Sequence, residues 1–182
     1  MKRTLVYESP ITSISGYGEY AREVASYLIK MEDIFDLHFV DSHDGLSQKT
    51  LKFNDSDINR IFNKQLTEDI VGDIHIYIKM GTPSEFNKIG KYNIGISAVV
   101  ESTLCHDSVL HGCNKMDHII VPSEFNKATL VDSYAHHNIS MQPSIDIIPE
   151  CVHNESGNST DTNMINKFMD GVDEDFCYLY NG

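Results

Sequence analysis

With 182 residues, 41% of them hydrophobic and 23% charged, the chain is long enough for one domain with a real core, or one domain plus a fragment. Its 27 acidic residues against 14 basic ones give a formal net charge of −13. That argues against a nucleic-acid backbone or an anionic membrane surface as partner, since both call for clustered Lys and Arg, and no run approaches the roughly 18 apolar residues of a membrane span.

Lys2 and Arg3 precede an apolar run, but Glu8 ends it too early for an export signal, so residues 3–7 read as a first strand. Cys105, Cys113, Cys151 and Cys177 form no CxxC pair. Without an export signal they read as buried or half-buried thiols in a reducing compartment, and a cytoplasmic location is expected. After Pro10 and the loop 11–15, Gly16-Tyr17-Gly18 opens a helix. Tyr20, Ala21, Val24, Ala25 and Leu28 fall on one stripe of it, with Glu19, Arg22, Glu23 and Lys30 on the other side. A strand, a glycine turn and a helix make half of a dinucleotide-type motif, in which glycines admit a ligand and the helix start favours an anion. The full GxGxxG is absent, and Gly16 and Gly18 equally suit a tight turn into the helix.

Phe35 to Val40 predicts a second strand, followed by a polar loop over 41–57 and a helix over 58–66 burying Ile58, Ile61, Phe62 and Leu66. Residues 73–78 predict another strand. The loop Lys79-Met80-Gly81-Thr82-Pro83 lies at its carboxyl end, as part of a ligand crevice or as a plain turn. Ile94 to Val100 is a continuous run rich in β-branched residues, expected to be a strand buried on both faces and stopped by Glu101. The helix predicted over 104–116 carries Cys105, His106, Asp107, His111 and Cys113. It has neither a CxxC nor an HExxH spacing, so these residues are divided between core and surface and no metal ligand is assigned.

Ile119-Ile120-Val121 is a second short strand, stopped by Pro122. Ser123 suits a helix N-cap, and Phe125, Ala128, Val131 and Tyr134 recur behind it at helical spacing. Residues 144–148 predict the last strand of the sheet. The alternation of strand and helix predicts an α/β fold with a parallel sheet, whose ligand lies outside the carboxyl ends of the strands, where Glu101 and Ser123 stand. Residues 152–175 are rich in Asn, Ser, Thr, Asp and Gly and read as a linker. Residues 176–182 then read as the first strand of a second domain that is not present, leaving 1–151 as the main domain.

Four stretches stand in a telling order: Ser-Gly-Tyr-Gly-Glu-Tyr-Ala-Arg (15–22), Ile-Gly-Ile-Ser-Ala-Val-Val-Glu-Ser-Thr (94–103), Met-Asp-His-Ile-Ile-Val-Pro-Ser-Glu-Phe-Asn (116–126) and Ile-Ile-Pro-Glu-Cys-Val (147–152). Together they resemble the N-terminal domain of GT-B glycosyltransferases of the family 4 (glycosyl transferase group 1) type. The resemblance implies a Rossmann-like domain that receives a sugar or glycan acceptor and faces a second domain holding the nucleotide-sugar donor. It also implies sugar transfer with retention of configuration, no metal, and no cofactor, the nucleotide-sugar being a substrate. The Gly16-Tyr17-Gly18 loop would lie near the donor phosphates. Lys79, Glu101, Ser102 and Thr103 would line the acceptor side with Ser123, Glu124 and Asn126, while Phe125 would pack into the core. The family's hinge usually reads Pro-His-Gly-Val-Asp, where this chain has Pro149-Glu150-Cys151-Val152-His153. Two other readings compete: a catalytically inactive Rossmann-like binding module, and an unrelated nucleotide-binding α/β protein. A half-enzyme with open apolar edges is expected to self-associate, so light scattering should give a mass above that of the monomer, and a clean monomer would overturn this.

Overall fold

The apolar runs pair into one sheet. The computed structural model describes residues 1–42, 60, 61, 64, 71–78, 83–99 and 102–150. In chain order these residues form β1 (Arg3–Ser9), α1 (Gly16–Ile29), β2 (Phe35–Asp41), β3 (Ile74–Ile78), β4 (Tyr92–Ile96), α2 (Asp107–Cys113), β5 (His118–Val121), α3 (Glu124–His136) and β6 (Ser144–Ile147). A single 3-10 turn spans Pro83–Glu85. Among the described residues the six strands are all parallel, in the order β2-β1-β3-β4-β5-β6. The architecture is Rossmann-like, an α/β sheet flanked by helices. The strand order reverses between β1 and β3, so the crevice expected of such a sheet opens at their carboxyl ends.

Two cores lie on opposite faces, as strand alternation requires. Leu5, Tyr7, Leu37, Phe39, Ile78 and Ile96 pack with Ala25, Leu28 and Ile29 of α1. On the other face Tyr77, Ile119, Val121 and Ile145 pack with Val109, Leu110 and Cys113 of α2 and Leu130 and Tyr134 of α3. The buried Tyr7 hydroxyl donates to Ala21 O at 2.9 Å, tying β1 to α1. Tyr134 ties α3 to α2 through Leu110 O at 3.0 Å. Burial raises the pKa of both phenols and keeps them protonated. Ile61 is fully buried in the α1-side core, as expected. The rest of the 58–66 helix, the 41–57 loop beyond Ser42 and the reading of 152–182 as linker and new strand lie outside the described residues.

Several expectations are corrected. The strand expected over 94–100 runs instead over Tyr92–Ile96. Ser97 accepts the Val99 N–H at 2.9 Å, and Val99 adopts a positive φ of 63°, so the chain turns out of the sheet before any carboxylate is reached. The helix expected over 104–116 is only Asp107–Cys113, because the His106 ring accepts the Ser108 N–H and starts it late. Cys105 and Cys113 are buried, whereas His106 and His111 are exposed. Arg22 lies in the buried face of α1 rather than on its polar side.

The stripe Phe125, Ala128, Val131, Tyr134 of α3 is also displaced. Phe125, Ala128 and Val131 are exposed, and the buried residues are Asn126, Thr129, Leu130, Ser133 and Tyr134. The inner face of α3 is polar because its side chains bond the backbone that crosses it. Ser133 Oγ accepts the Cys105 N–H at 2.8 Å and donates to Thr129 O at 2.6 Å. The helix ends in a left-handed Asn138, with Ile139 N–H reaching Tyr134 O and Asn138 N–H reaching Ala135 O.

At the amino edge of the sheet, Asp117 accepts from Asn93 N at 2.8 Å and Nδ2 at 3.2 Å, joining the starts of β4 and β5. Partial burial raises its pKa, but the Asn93 bonds and Lys88 outweigh that and hold the carboxyl below its ordinary 3.8. A depressed folded value means the contribution is complete above the ordinary value and is lost as pH falls through the folded one. Chemical denaturation from about pH 6 to about pH 3 should therefore show a smaller loss of stability in Asp117→Asn than in the wild type.

Candidate functional site

At the carboxyl end of β1 the chain is held tightly before it enters α1. Ser15 caps the helix, its Oγ accepting the Gly18 N–H at 3.2 Å. Ser13 Oγ lies 2.7 Å from Ser15 Oγ and accepts the Ser15 N–H. Arg22, 8% exposed, reaches back from α1. Its guanidinium donates to Ile11 O at 2.8 Å, Ser13 O at 2.7 Å and Glu19 Oε2 at 2.7 Å. Two bonds of a rigid fork thus fix the loop from one side, and the third ties the guanidinium to its own helix. Thr12 fixes it from the other, donating its hydroxyl to Asp41 at 2.5 Å.

The two glycines of this loop differ. A Cβ at Gly16 would meet nothing within 4 Å, while one at Gly18 would stand 2.1 Å from Ser13 O. Gly18 therefore serves a close approach of the chain to itself.

The turn after β4 is held by α3. Ser123 caps α3, accepting the Asn126 N–H at 3.2 Å and donating to Asn126 Oδ1 at 2.6 Å. Asn126 Nδ2 then donates to Ala98 O at 2.6 Å. Ala98 adjoins the strained Val99, whose positive φ costs of order 1–3 kcal/mol for a β-branched residue. Between these elements lies an open depression of ≈ 620 Å³ at the carboxyl edge. Tyr17 of α1 stands on one side, Ser123, Phe125 and Asn126 on the other, with Ala98 at the base and Glu150 beyond β6.

Of the residues singled out in the sequence, the structure brings Tyr17, Ser123 and Asn126 together. Gly16 is exposed beside Tyr17, and Gly18 is buried behind it. Ser102, Thr103 and Glu124 are exposed and do not line the depression. Lys79 and Glu101 lie outside the described residues. Phe125, expected in the core, is 52% exposed at the rim, because it points off the outer side of the first turn of α3. Glu150 and Arg22 were missed as site residues. The position rule for parallel sheets could have found Glu150, three residues past the apolar end of β6. Among the described residues no three His, Cys, Asp or Glu side chains are grouped to hold a metal ion, and no helix is long and apolar enough to cross a membrane.

The Cys113 thiol is pushed up to about 12, first by burial and then by the neighbouring Cys105, and burial also raises Cys105. These two sulfurs are packing groups, with little nucleophilic thiolate at neutral pH.

No protein-family model matches the chain, and no curated protein or solved structure matches it.

Asn126→Ala would remove the donor to the Ala98 carbonyl and the acceptor of the Ser123 hydroxyl, while leaving the backbone N–H that Ser123 caps. Urea denaturation should show a loss of about 1–3 kcal/mol.

Proposed function

We propose that this chain is the N-terminal, acceptor-side half of a cytoplasmic GT-B glycosyltransferase of the family 4 type, which transfers a sugar from a nucleotide-sugar to a sugar or glycan acceptor with retention. The observation that carries this reading is the depression at the carboxyl edge, where Tyr17 of the glycine loop faces the Ser123–Asn126 turn. These are two of the four stretches on which the resemblance rests, and they come from elements about a hundred residues apart in sequence.

The local chemistry suits an acceptor sugar. Phe125 is a solvent-facing aromatic ring that can lie against the C–H face of a pyranose. The exposed Glu150 carboxylate can accept hydrogen bonds from hydroxyl groups. Arg22 and Asn126 spend their hydrogen bonds on the loop and the turn, so their role is to hold the walls in place. The start of α1 would face the donor phosphates, where backbone amides and the helix dipole oppose the charge that develops on the leaving group. In this reading the donor itself is held by a second domain.

Calorimetry and thermal shift with UDP-glucose, GDP-mannose, UDP and GDP should give no binding to these residues alone, and no donor hydrolysis. Titration with a panel of methyl glycosides should give weak binding that Phe125→Ala abolishes while leaving the melting temperature unchanged, since the ring is largely exposed. Tight nucleotide binding by this chain alone would overturn the assignment in favour of a self-sufficient nucleotide-binding domain.

A further inference from the structure

On the face of the sheet away from α1, a carboxylate and an imidazole sit where apolar side chains would be expected. Glu8 of β1 stands in register with Val40 of β2 and Tyr77 of β3. His75 lies one inward-facing position earlier on β3, with its side chain 2% exposed. His75 Nε2 is 3.2 Å from Glu8 Oε2, near enough for an ionic contact but not aligned as a hydrogen bond, and Nδ1 has no hydrogen-bond partner. The imidazole stacks on the Tyr77 ring with centroids 5.6 Å apart and planes 27° apart. The Tyr77 phenol lies near the Glu8 carboxylate, and its pKa is raised, first by burial and then by the Glu8 charge.

Burying these groups is unfavourable, and apolar residues of similar volume would serve the core as well or better. The cluster also occupies a particular place. Glu8 and Tyr77 are each one residue short of the carboxyl ends of β1 and β3, the two strands between which the order of the sheet reverses. That is where a doubly wound sheet receives its ligand. The Glu8 side chain is 17% exposed, so it is not sealed inside the core as His75 is. An ionised carboxylate can only accept hydrogen bonds, so its partner there must be a donor.

We propose that Glu8 is a ligand-binding carboxylate of this crevice, positioned by Tyr77 and His75, and that it accepts a hydrogen bond from a hydroxyl group of a polyhydroxylated ligand. A neutral hydroxyl rather than a cationic amine is assigned as the donor, in keeping with the acceptor reading. The identification of that ligand as an acceptor sugar rests on the reading above. Tyr77 and His75 are positioning residues, acting through Glu8.

The test is an NMR titration of the whole chain with methyl glycosides and, in a parallel arm, with spermidine as the amine probe, following the ring resonances of the aromatic residue at position 77. Glu8→Gln, Tyr77→Phe and Phe125→Ala are compared with the wild type. Glycosides should shift the Tyr77 resonances in the wild type, and Glu8→Gln should weaken binding about tenfold or more, the worth of one hydrogen bond to a charged group. Tyr77→Phe, which keeps the packing and removes the hydroxyl beside the carboxylate, should weaken binding severalfold, and it carries the test if Glu8→Gln does not fold. Glycoside binding that falls in Phe125→Ala but is unchanged in Glu8→Gln and Tyr77→Phe would overturn the role of Glu8 and leave the acceptor reading standing. Spermidine binding that requires Glu8, with no glycoside binding, would overturn both the hydroxyl assignment and the acceptor reading. Binding of neither probe would overturn the proposal.

Discussion

A parallel sheet covered on both faces tolerates little charge in its middle strands, and most of this structure follows from that constraint. β1, β3 and β4 are flanked by other strands and packed on both faces, so their inward side chains are almost all aliphatic or aromatic. Polar side chains that do enter are answered locally. Asn93 is answered by Asp117, Ser133 by the Cys105 amide, and Arg22 by two carbonyls of its own loop. Among the described residues the exceptions are the Ser9 hydroxyl at the end of β1 and His75, which has a carboxylate beside it and no aligned hydrogen bond. Where a rule obeyed elsewhere in the same sheet is broken beside a carboxylate near its carboxyl edge, function is the first explanation to examine.

The strands were legible because burial on both faces writes itself into sequence as continuous β-branched runs, as in Ile119-Ile120-Val121. Their order in the sheet was not, since nothing local says which run lies beside which. The end of β4 was also hidden. Ser97-Ala98-Val99 continues the apolar pattern, yet a serine hydroxyl bonded two residues on turns the backbone away.

α3 misled for the opposite reason. Helical periodicity assumes that the apolar side faces inward. Here the inner side meets the backbone at Ala98, Ser102 and Cys105, which offers two carbonyls and an amide, so Asn126, Thr129 and Ser133 turn inward and Phe125 and Val131 turn out. The same competition hid Arg22, an ordinary surface residue by pattern that is recruited by carbonyls a helical turn away in space. The edge that holds the candidate site was legible from the position rule alone. Its membership was not, because membership depends on which side chains are spent inside: Gly18 is used against Ser13, while Phe125 is left over.

All six strands run the same way, so the turns that feed them gather at the opposite edge from the candidate site. One of these is unusually well anchored. Asn114 Nδ2 donates to Ser140 O at 2.9 Å, Asn114 Oδ1 accepts the Gln142 N–H at 3.0 Å, and Met141 between them remains largely exposed. A rigid turn with an outward side chain is a convenient handle. A thiol placed at Met141 for coupling to a sensor surface or a fluorophore would leave the carboxyl edge open to solution, so that ligand capture could be followed without the support covering the crevice.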